Sequence, residues 1–382
     1  MKKVLMLATT AAMIEQFNKN NILILEEMGY EVHVAGNWDE GNPISDERLE
    51  KFKEWIVEHK GMYFHIPAIR KPTALKNNLC AYKKVIELIH ENQYEFIHCH
   101  TPIGSVIGRL AAHRTNTKII YTAHGFHFYK GAPLVNWLIY YPVEWFLSRW
   151  TDILITINRE DYNRAKKSFH AKRTEYIPGV GIDVYKYATC AVDRSVLRQK
   201  FEIQKDDFVI VSVGEVNSNK NHEVIIRAIA KLNQPNLKYI ICGRGPLQEE
   251  LKRLSRQIGL DEKIYILGYC DNINEYLHLA DAFAFPSKRE GLGLAALEAM
   301  AAGLPLITSN IHGIKDYSIN EVTGFSYFPN DVDGFATGIN KLMLSKDLRL
   351  QMKERNIEFA KKYEVKNINF LMCKIYSCAI NE

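Results

Sequence analysis

Nowhere do these 382 residues offer the roughly 20 consecutive apolar residues that a membrane-spanning helix requires. The start, Met1-Lys-Lys-Val-Leu-Met-Leu-Ala8, has a short apolar run with Glu15 and Gln16 soon after it. It therefore reads as a first strand and not as a signal peptide. Paired cysteine motifs are also missing. Cys80, Cys99, Cys190, Cys242, Cys270, Cys373 and Cys378 are scattered and odd in number, which points to reduced thiols in a cytosolic protein. The chain has no long basic run, and its net charge of +5 is modest for the length, so nucleic-acid binding is not suggested. No G-x-G-x-x-G follows the first strand, which speaks against a dinucleotide-dependent dehydrogenase. Internal repeats and low-complexity tracts are absent as well.

What is present is the composition of a soluble globular protein, 47% apolar and 24% charged. The length leaves room for two domains with a core each. Apolar runs alternate with helical patterns, which predicts α/β architecture with parallel sheets. In the first half, strands are expected at Val4–Leu7, Val32–Ala35, Phe96–His98, Ile119–Tyr121 and Ile153–Thr156, with one helix from Ile14 to Met28 stopped by Gly29. After Pro178 the pattern restarts, with strands at Phe208–Val213, Tyr239–Cys242, Ile264–Leu267, Ala282–Phe285 and Leu306–Thr308. A complete second set implies a second doubly wound domain, with the boundary near 178–205. Ligands of such sheets collect at the carboxyl ends of the strands. His124, Lys220 and Glu290 all lie just past predicted strand ends, so a cleft between two such domains is the expected active site.

One segment concentrates the chemistry: Phe285-Pro-Ser-Lys-Arg-Glu290-Gly-Leu-Gly-Leu-Ala-Ala-Leu-Glu298. A buried strand leads through a glycine-containing turn into a helix, leaving backbone N–H groups of about Leu292 to Ala295 at the positive end of a helix dipole. That place suits a phosphate, and Glu298, roughly 9 Å further along at 1.5 Å per residue, suits the hydroxyls of a sugar. An isolated pair of glutamates at this spacing is equally consistent with a capped core helix carrying a surface Glu at each end.

The segment resembles the donor-sugar signature of retaining glycosyltransferases of family 4, which have the two-domain GT-B fold. Further matches follow in order. Gly179-Val-Gly-Ile-Asp183 resembles the family's interdomain junction, and Val213-Gly-Glu-Val-Asn-Ser-Asn-Lys220-Asn-His222 its second-domain phosphate loop. Cys242-Gly-Arg-Gly-Pro246 and Gly268-Tyr269 resemble the strand ends that wall the nucleotide pocket. Thr122-Ala-His124-Gly-Phe-His-Phe-Tyr-Lys-Gly131 resembles the first-domain active-site loop of bacterial exopolysaccharide and capsule enzymes.

The resemblance implies two Rossmann-like domains, residues 1–180 for the acceptor and 181–365 for a nucleotide sugar, with 366–382 returning to the first. It implies transfer of a sugar, N-acetylhexosamine as a first guess, from a UDP-sugar to a glycan acceptor, with retained anomeric configuration. Lys220 and the helix start at Gly291, Leu292, Gly293 and Leu294 would stabilise the departing diphosphate. Glu298 would hold the ribose and Glu290 orient the donor sugar. His124 would line the reaction centre, and Gly214, Asn217, Arg244 and Tyr269 would complete the donor pocket. No cofactor and no metal is implied. The acceptor would be a glycan, on a polyprenyl diphosphate in one version, met at the cytoplasmic face of a membrane. One departure stands out: many members carry Arg where this chain has Glu215, and Arg244 or Arg289 would have to compensate. That loss keeps open a catalytically silent, nucleotide-sugar-binding subunit. A nucleotide-sugar epimerase or a phosphorylase on the same fold is the other alternative.

Other constellations weigh less. Asp331-Val-Asp333 matches a metal-binding D-x-D pattern but sits where acids cap helices. His98-Cys-His100 places two histidines on one face of a strand without a third ligand, so His98, His100 and also His127 are read as structural. Leu134 to Trp150 packs three Trp and two Tyr around Pro142. With Arg70, Lys71, Lys76, Lys83 and Lys84 elsewhere in the first half, exposed Trp side chains would suit an anionic membrane surface. A buried helix beside a solvated lysine face is the equal alternative.

Overall fold

The structure, a computed structural model, describes residues 1–381. The chain divides into two compact units, residues 1–180 rejoined by the C-terminal segment from Lys366, and Gly181–Val365. The first holds β1 (Lys2–Thr10), β2 (Tyr30–Asn37), β3 (Met62–His65), β4 (Phe96–His100), β5 (Lys118–Ala123), β6 (Ile153–Thr156) and β7 (Arg173–Tyr176). They form one parallel sheet in the order β3-β2-β1-β4-β5-β6-β7. The second unit holds β8 (Phe208–Val213), β9 (Leu237–Cys242), β10 (Ile264–Gly268), β11 (Ala282–Phe285), β12 (Leu306–Ser309) and β13 (Gly324–Tyr327). These strands are also parallel, in the order β10-β9-β8-β11-β12-β13.

Strands covered by helices on both faces must be apolar at every position, and β1 is buried from Val4 through Thr10. The period-2 alternation then sorts side chains between two cores. Val4, Met6, Phe96, Ile120 and Ile153 face one way, packed by Ile368, Met372, Ile375 and Tyr376 of the C-terminal helix Val365–Asn381. Leu5, Leu7, Ile97, Cys99 and Ile119 face the other. The second unit has its own core around Ile210, Tyr239, Ile241, Ala284 and Phe335.

Three differences from the sequence reading have physical reasons. The expected helix from Ile14 to Met28 is two, Ala11–Phe17 and Lys19–Glu27, broken at Asn18. The buried Asn18 side chain turns onto its own backbone, donating to the Met13 carbonyl at 3.4 Å, and competes with the helical ladder. The strands β3 and β7 were not expected because they are sheet edges, only partly buried, and lack a continuous apolar run. At the end of β12, β13 closes the sheet with a four-residue segment, Gly-Phe-Ser-Tyr, too short and too polar to stand out.

Candidate functional site

In each sheet the strand order reverses at one point, between β1 and β4 and between β8 and β11. The crevice at the carboxyl ends of such a pair is where ligands bind in this architecture. Lys220 and Glu290 stand at the second unit's reversal point and His124 near the first's.

In the second unit β8 ends at Gly214, whose φ of +151° lets the chain turn with Lys220 packed against it. Asn217 builds the loop: its Oδ1 accepts from the backbone N–H of Asn219 at 3.0 Å and of Lys220 at 2.9 Å. Asn217 Oδ1 thereby shapes the lysine's turn. Asn219 ties that loop to the one after β11. Its side chain donates to the Arg289 carbonyl at 3.0 Å, and its own carbonyl accepts from Lys288 N–H at 2.7 Å. The result is an ion pair between Lys220 Nζ and Glu290 Oε1, with the ammonium 4.7 Å from the Phe285 ring centre.

Beyond Glu290 the chain passes Gly291 and the buried Leu292 and enters the helix Leu294–Ala301. That helix starts two residues later than Leu292. Its N-cap is Gly293, at φ +92°, and the cap has no side chain to offer. Any Cβ there would lie 2.5 Å from Phe285 Cε1, so the position tolerates only glycine. An uncapped helix start thereby stands beside the Lys220–Glu290 pair. One turn in, Glu298 Oε1 accepts from Tyr187 Oη at 2.9 Å. Burial raises the Glu298 carboxyl above the ordinary range, with the Tyr187 hydroxyl and Lys186 opposing. Tyr187 was not expected; it sits on the short helix Val184–Ala188, whose Asp183 cap ends the junction motif. Arg244 lies 5.5 Å from the centre of the exposed Tyr269 ring, and its carbonyl accepts from Val216 N–H at 2.8 Å. Glu215 is exposed.

The first unit's reversal point is built differently. His124 follows β5, and His98 and His100 share one face of β4. His100 Nδ1 lies 3.1 Å from His124 Nε2, and His100 Nε2 lies 3.1 Å from Met6 Sδ. His98 bridges Tyr376 Oη and Thr122 Oγ1, each at 2.8 Å. Burial drives the His98 imidazole down to about 3, His124 to about 4 and His100 well below its usual value, so all three are neutral at pH 7. His124 lines a cavity of about 20 Å³, room for a water, shared with Phe17, Thr122, Gly179 and Met372. Reading His98 and His100 as merely structural therefore misses a contact with His124. The signal was available: Thr122 pairs with His100 across β4 and β5, so His124, two residues on, shares that face.

Asp331 caps the helix Val332–Leu344, accepting from Gly334 N–H at 2.8 Å, and Asp333 pairs with Lys231. The aromatic segment is a helix, Leu134–Leu147, and it is inside out. Its two tryptophans and Trp150 just beyond it pack on protein: Trp137 against Phe128 and Arg164, Trp145 against His170, and Trp150 stacked on His113 at 4.1 Å. Glu144 is buried in an ion pair with Arg109 at 2.8 Å. The exposed face instead carries Leu134, Val135, Leu138, Ile139, Val143 and Phe146. Of the two sequence readings, exposed tryptophans or a buried helix, neither foresaw this exposed aliphatic face.

Two family models match the chain: "Glycosyltransferase Family 4" over residues 22–184 and "Glycosyl transferases group 1" over residues 193–359. "Putative glycosyltransferase EpsD" of Bacillus subtilis (strain 168) is 36% identical over 98% of this chain and 96% of its own. An Escherichia coli UDP-Gal:α-D-GlcNAc-diphosphoundecaprenol α-1,3-galactosyltransferase is 28% identical over 76% of this chain and 77% of its own. Among solved structures, Anabaena Alr3699/HepE in complex with UDP-glucose superposes with a TM-score of 0.79 at 20% identity, over 99% of this chain and 100% of that one. This last likeness is one of fold.

Proposed function

The chain belongs to glycosyltransferase family 4, a glycosyltransferase of the GT-B fold, and from that premise we propose the reaction it carries out. It moves a sugar from a UDP-sugar to a lipid-linked glycan in surface polysaccharide synthesis, retaining the anomeric configuration. The observation that carries this reading is the Lys220–Glu290 pair beside the uncapped start of the Leu294–Ala301 helix. An ammonium and a helix N-terminus together stabilise a departing diphosphate without a metal ion. The diphosphate draws Lys220 from Glu290, which frees that carboxylate to orient the donor sugar. Glu298, with Oε1 already held by Tyr187, offers Oε2 to the ribose hydroxyls. His124 presents a neutral imidazole to the reacting sugar. The E. coli relative's named substrate, a diphosphoundecaprenol-linked sugar, supports a lipid-linked acceptor here. So does the aliphatic face of the Leu134–Leu147 helix, flanked by exposed Lys130 and Arg149, which suits reversible contact with an anionic membrane.

The test is a turnover assay with UDP-sugars and a polyprenyl-diphosphate glycan. Acceptor should raise UDP release far above the slow hydrolysis of the donor by water, and excess EDTA should leave the rate unchanged. Release of UDP without acceptor, with an epimerised sugar as product, would favour an epimerase. Loss of turnover on chelation, restored by manganese, would contradict metal-free stabilisation of the leaving group.

A further inference from the structure

The two contacts of His100 constrain one another. A thioether sulfur has no hydrogen and can only accept. At 3.1 Å from Met6 Sδ, His100 Nε2 must therefore be the nitrogen that carries the proton; otherwise two lone pairs would face each other in a dry core. His100 is fully buried and neutral, so it has one N–H only, and its Nδ1 is a lone pair. That lone pair lies 3.1 Å from His124 Nε2, so the proton between the two rings belongs to His124. A neutral His124 with its proton on Nε2 has a bare Nδ1.

We infer that Met6 and His100 are positioning residues that lock His124 in the Nε2–H tautomer, so that its Nδ1 serves as a hydrogen-bond acceptor for a sugar hydroxyl. The tautomer of a histidine is set by the bond its other nitrogen makes, and here that bond is relayed across three neighbouring strands, from Met6 on β1 through His100 on β4 to His124 after β5. The second buried pair on this face, His98 with Tyr376 and Thr122, walls the other side of His100, the two rings being 4.2 Å apart. A Nδ1–H tautomer of His124 would instead donate, and would repel the hydroxyl hydrogen that the locked form attracts. This inference rests on the proposed role of His124, but its first readout does not use activity.

Long-range proton–nitrogen correlation spectra of the full-length protein labelled with ¹⁵N-histidine, assigned with His124→Gln, report the tautomer directly. The wild type should show His124 protonated at Nε2 alone. Met6→Leu, a volume-matched exchange that costs little stability, should give a mixture of tautomers and lower kcat about three- to tenfold, the worth of one hydrogen bond, with KM for the donor unchanged. His100→Gln, whose amide can donate to sulfur and accept from His124, should restore both signals relative to His100→Leu. Acceptor-independent hydrolysis of the donor separates the two sources of the hydroxyl: it falls in Met6→Leu when the donor sugar supplies it, and holds steady when the acceptor does. A wild-type His124 protonated at Nδ1, or a Met6→Leu protein with unaltered tautomer and unaltered kcat, overturns the inference. An inactive role for His124 itself would show separately, as full turnover in His124→Ala while the wild type still shows His124 protonated at Nε2 alone.

Discussion

The two units place polar groups at the same point of the same kind of sheet, yet hold them in opposite ways. In the second unit the functional groups are charged and ride on loops after β8 and β11. Lys220 and Glu290 are neutralised by one another and held by side-chain-to-backbone bonds from Asn217 and Asn219. In the first unit the groups are neutral: His98 and His100 stand on β4 and His124 just past β5, three imidazoles packed against Met6, Thr122 and Tyr376. Loops with exchangeable ion pairs suit binding and releasing a charged nucleotide. A network rooted in buried strands, with His98 and His100 paired on both ring nitrogens, suits holding one group in a fixed orientation. On the proposed function, the comparison predicts a division of labour, with donor affinity belonging to the second unit and orientation to the first.

The largest effects should come from removing one group of each kind. Lys220→Ala and His124→Ala should each lower kcat by about a hundred- to a thousandfold, the usual range for a preorganised polar contact to a transition state. Only Lys220→Ala should also weaken UDP binding. Equal effects of the two variants on UDP affinity would erase the distinction between the units.

Acid should break the first unit before the second. A histidine whose pKa is lowered in the folded state contributes stability above about 6.5, its ordinary value, and loses it as pH falls toward the folded value. His33, His98, His100 and His124 of the first unit are lowered in this way, against His222, at about 4, in the second. For each fully buried histidine the loss is about 1.4 kcal/mol per pH unit below 6.5. Hydrogen exchange between pH 7 and pH 5 should therefore show amides of β4 and β5 opening ahead of those of β8 and β9. Uniform loss of protection would count against the buried-histidine account.

This contrast also explains what could be read in advance. The second unit's site is local in sequence, since Lys220, Glu290 and Glu298 stand in short glycine-bearing runs next to clear strands. The main central strands were legible for the same reason, as runs such as Phe208–Val213 and Ile153–Thr156 must be apolar on both faces. His100 and Tyr187 were not read, because each gains its role from a contact across the fold, His100 with His124 and Tyr187 with Glu298. The helix Leu134–Leu147 misled for a related reason. Its one acidic residue, Glu144, is buried by Arg109 rather than exposed, so tryptophan content said nothing about which face is outward.

The smallest expected effect concerns that helix. Vesicles with anionic lipid should float part of the protein at low salt and release it at high salt. Leu138→Asp with Ile139→Asp should reduce flotation severalfold, while a Trp137→Phe variant should float like the wild type. The same flotation from both would move the contact away from this face.

Calorimetric titration of UDP into full-length wild type, Glu298→Ala and His124→Ala tests the division of labour most directly. A carboxylate that accepts ribose hydroxyls is worth about 1.5–3 kcal/mol, so Glu298→Ala should raise Kd about ten- to a hundredfold, while His124→Ala leaves Kd unchanged. An unchanged Kd in folded Glu298→Ala would remove the ribose from Glu298, and lost UDP binding in His124→Ala would place the nucleotide in the other unit; either result would contradict the account.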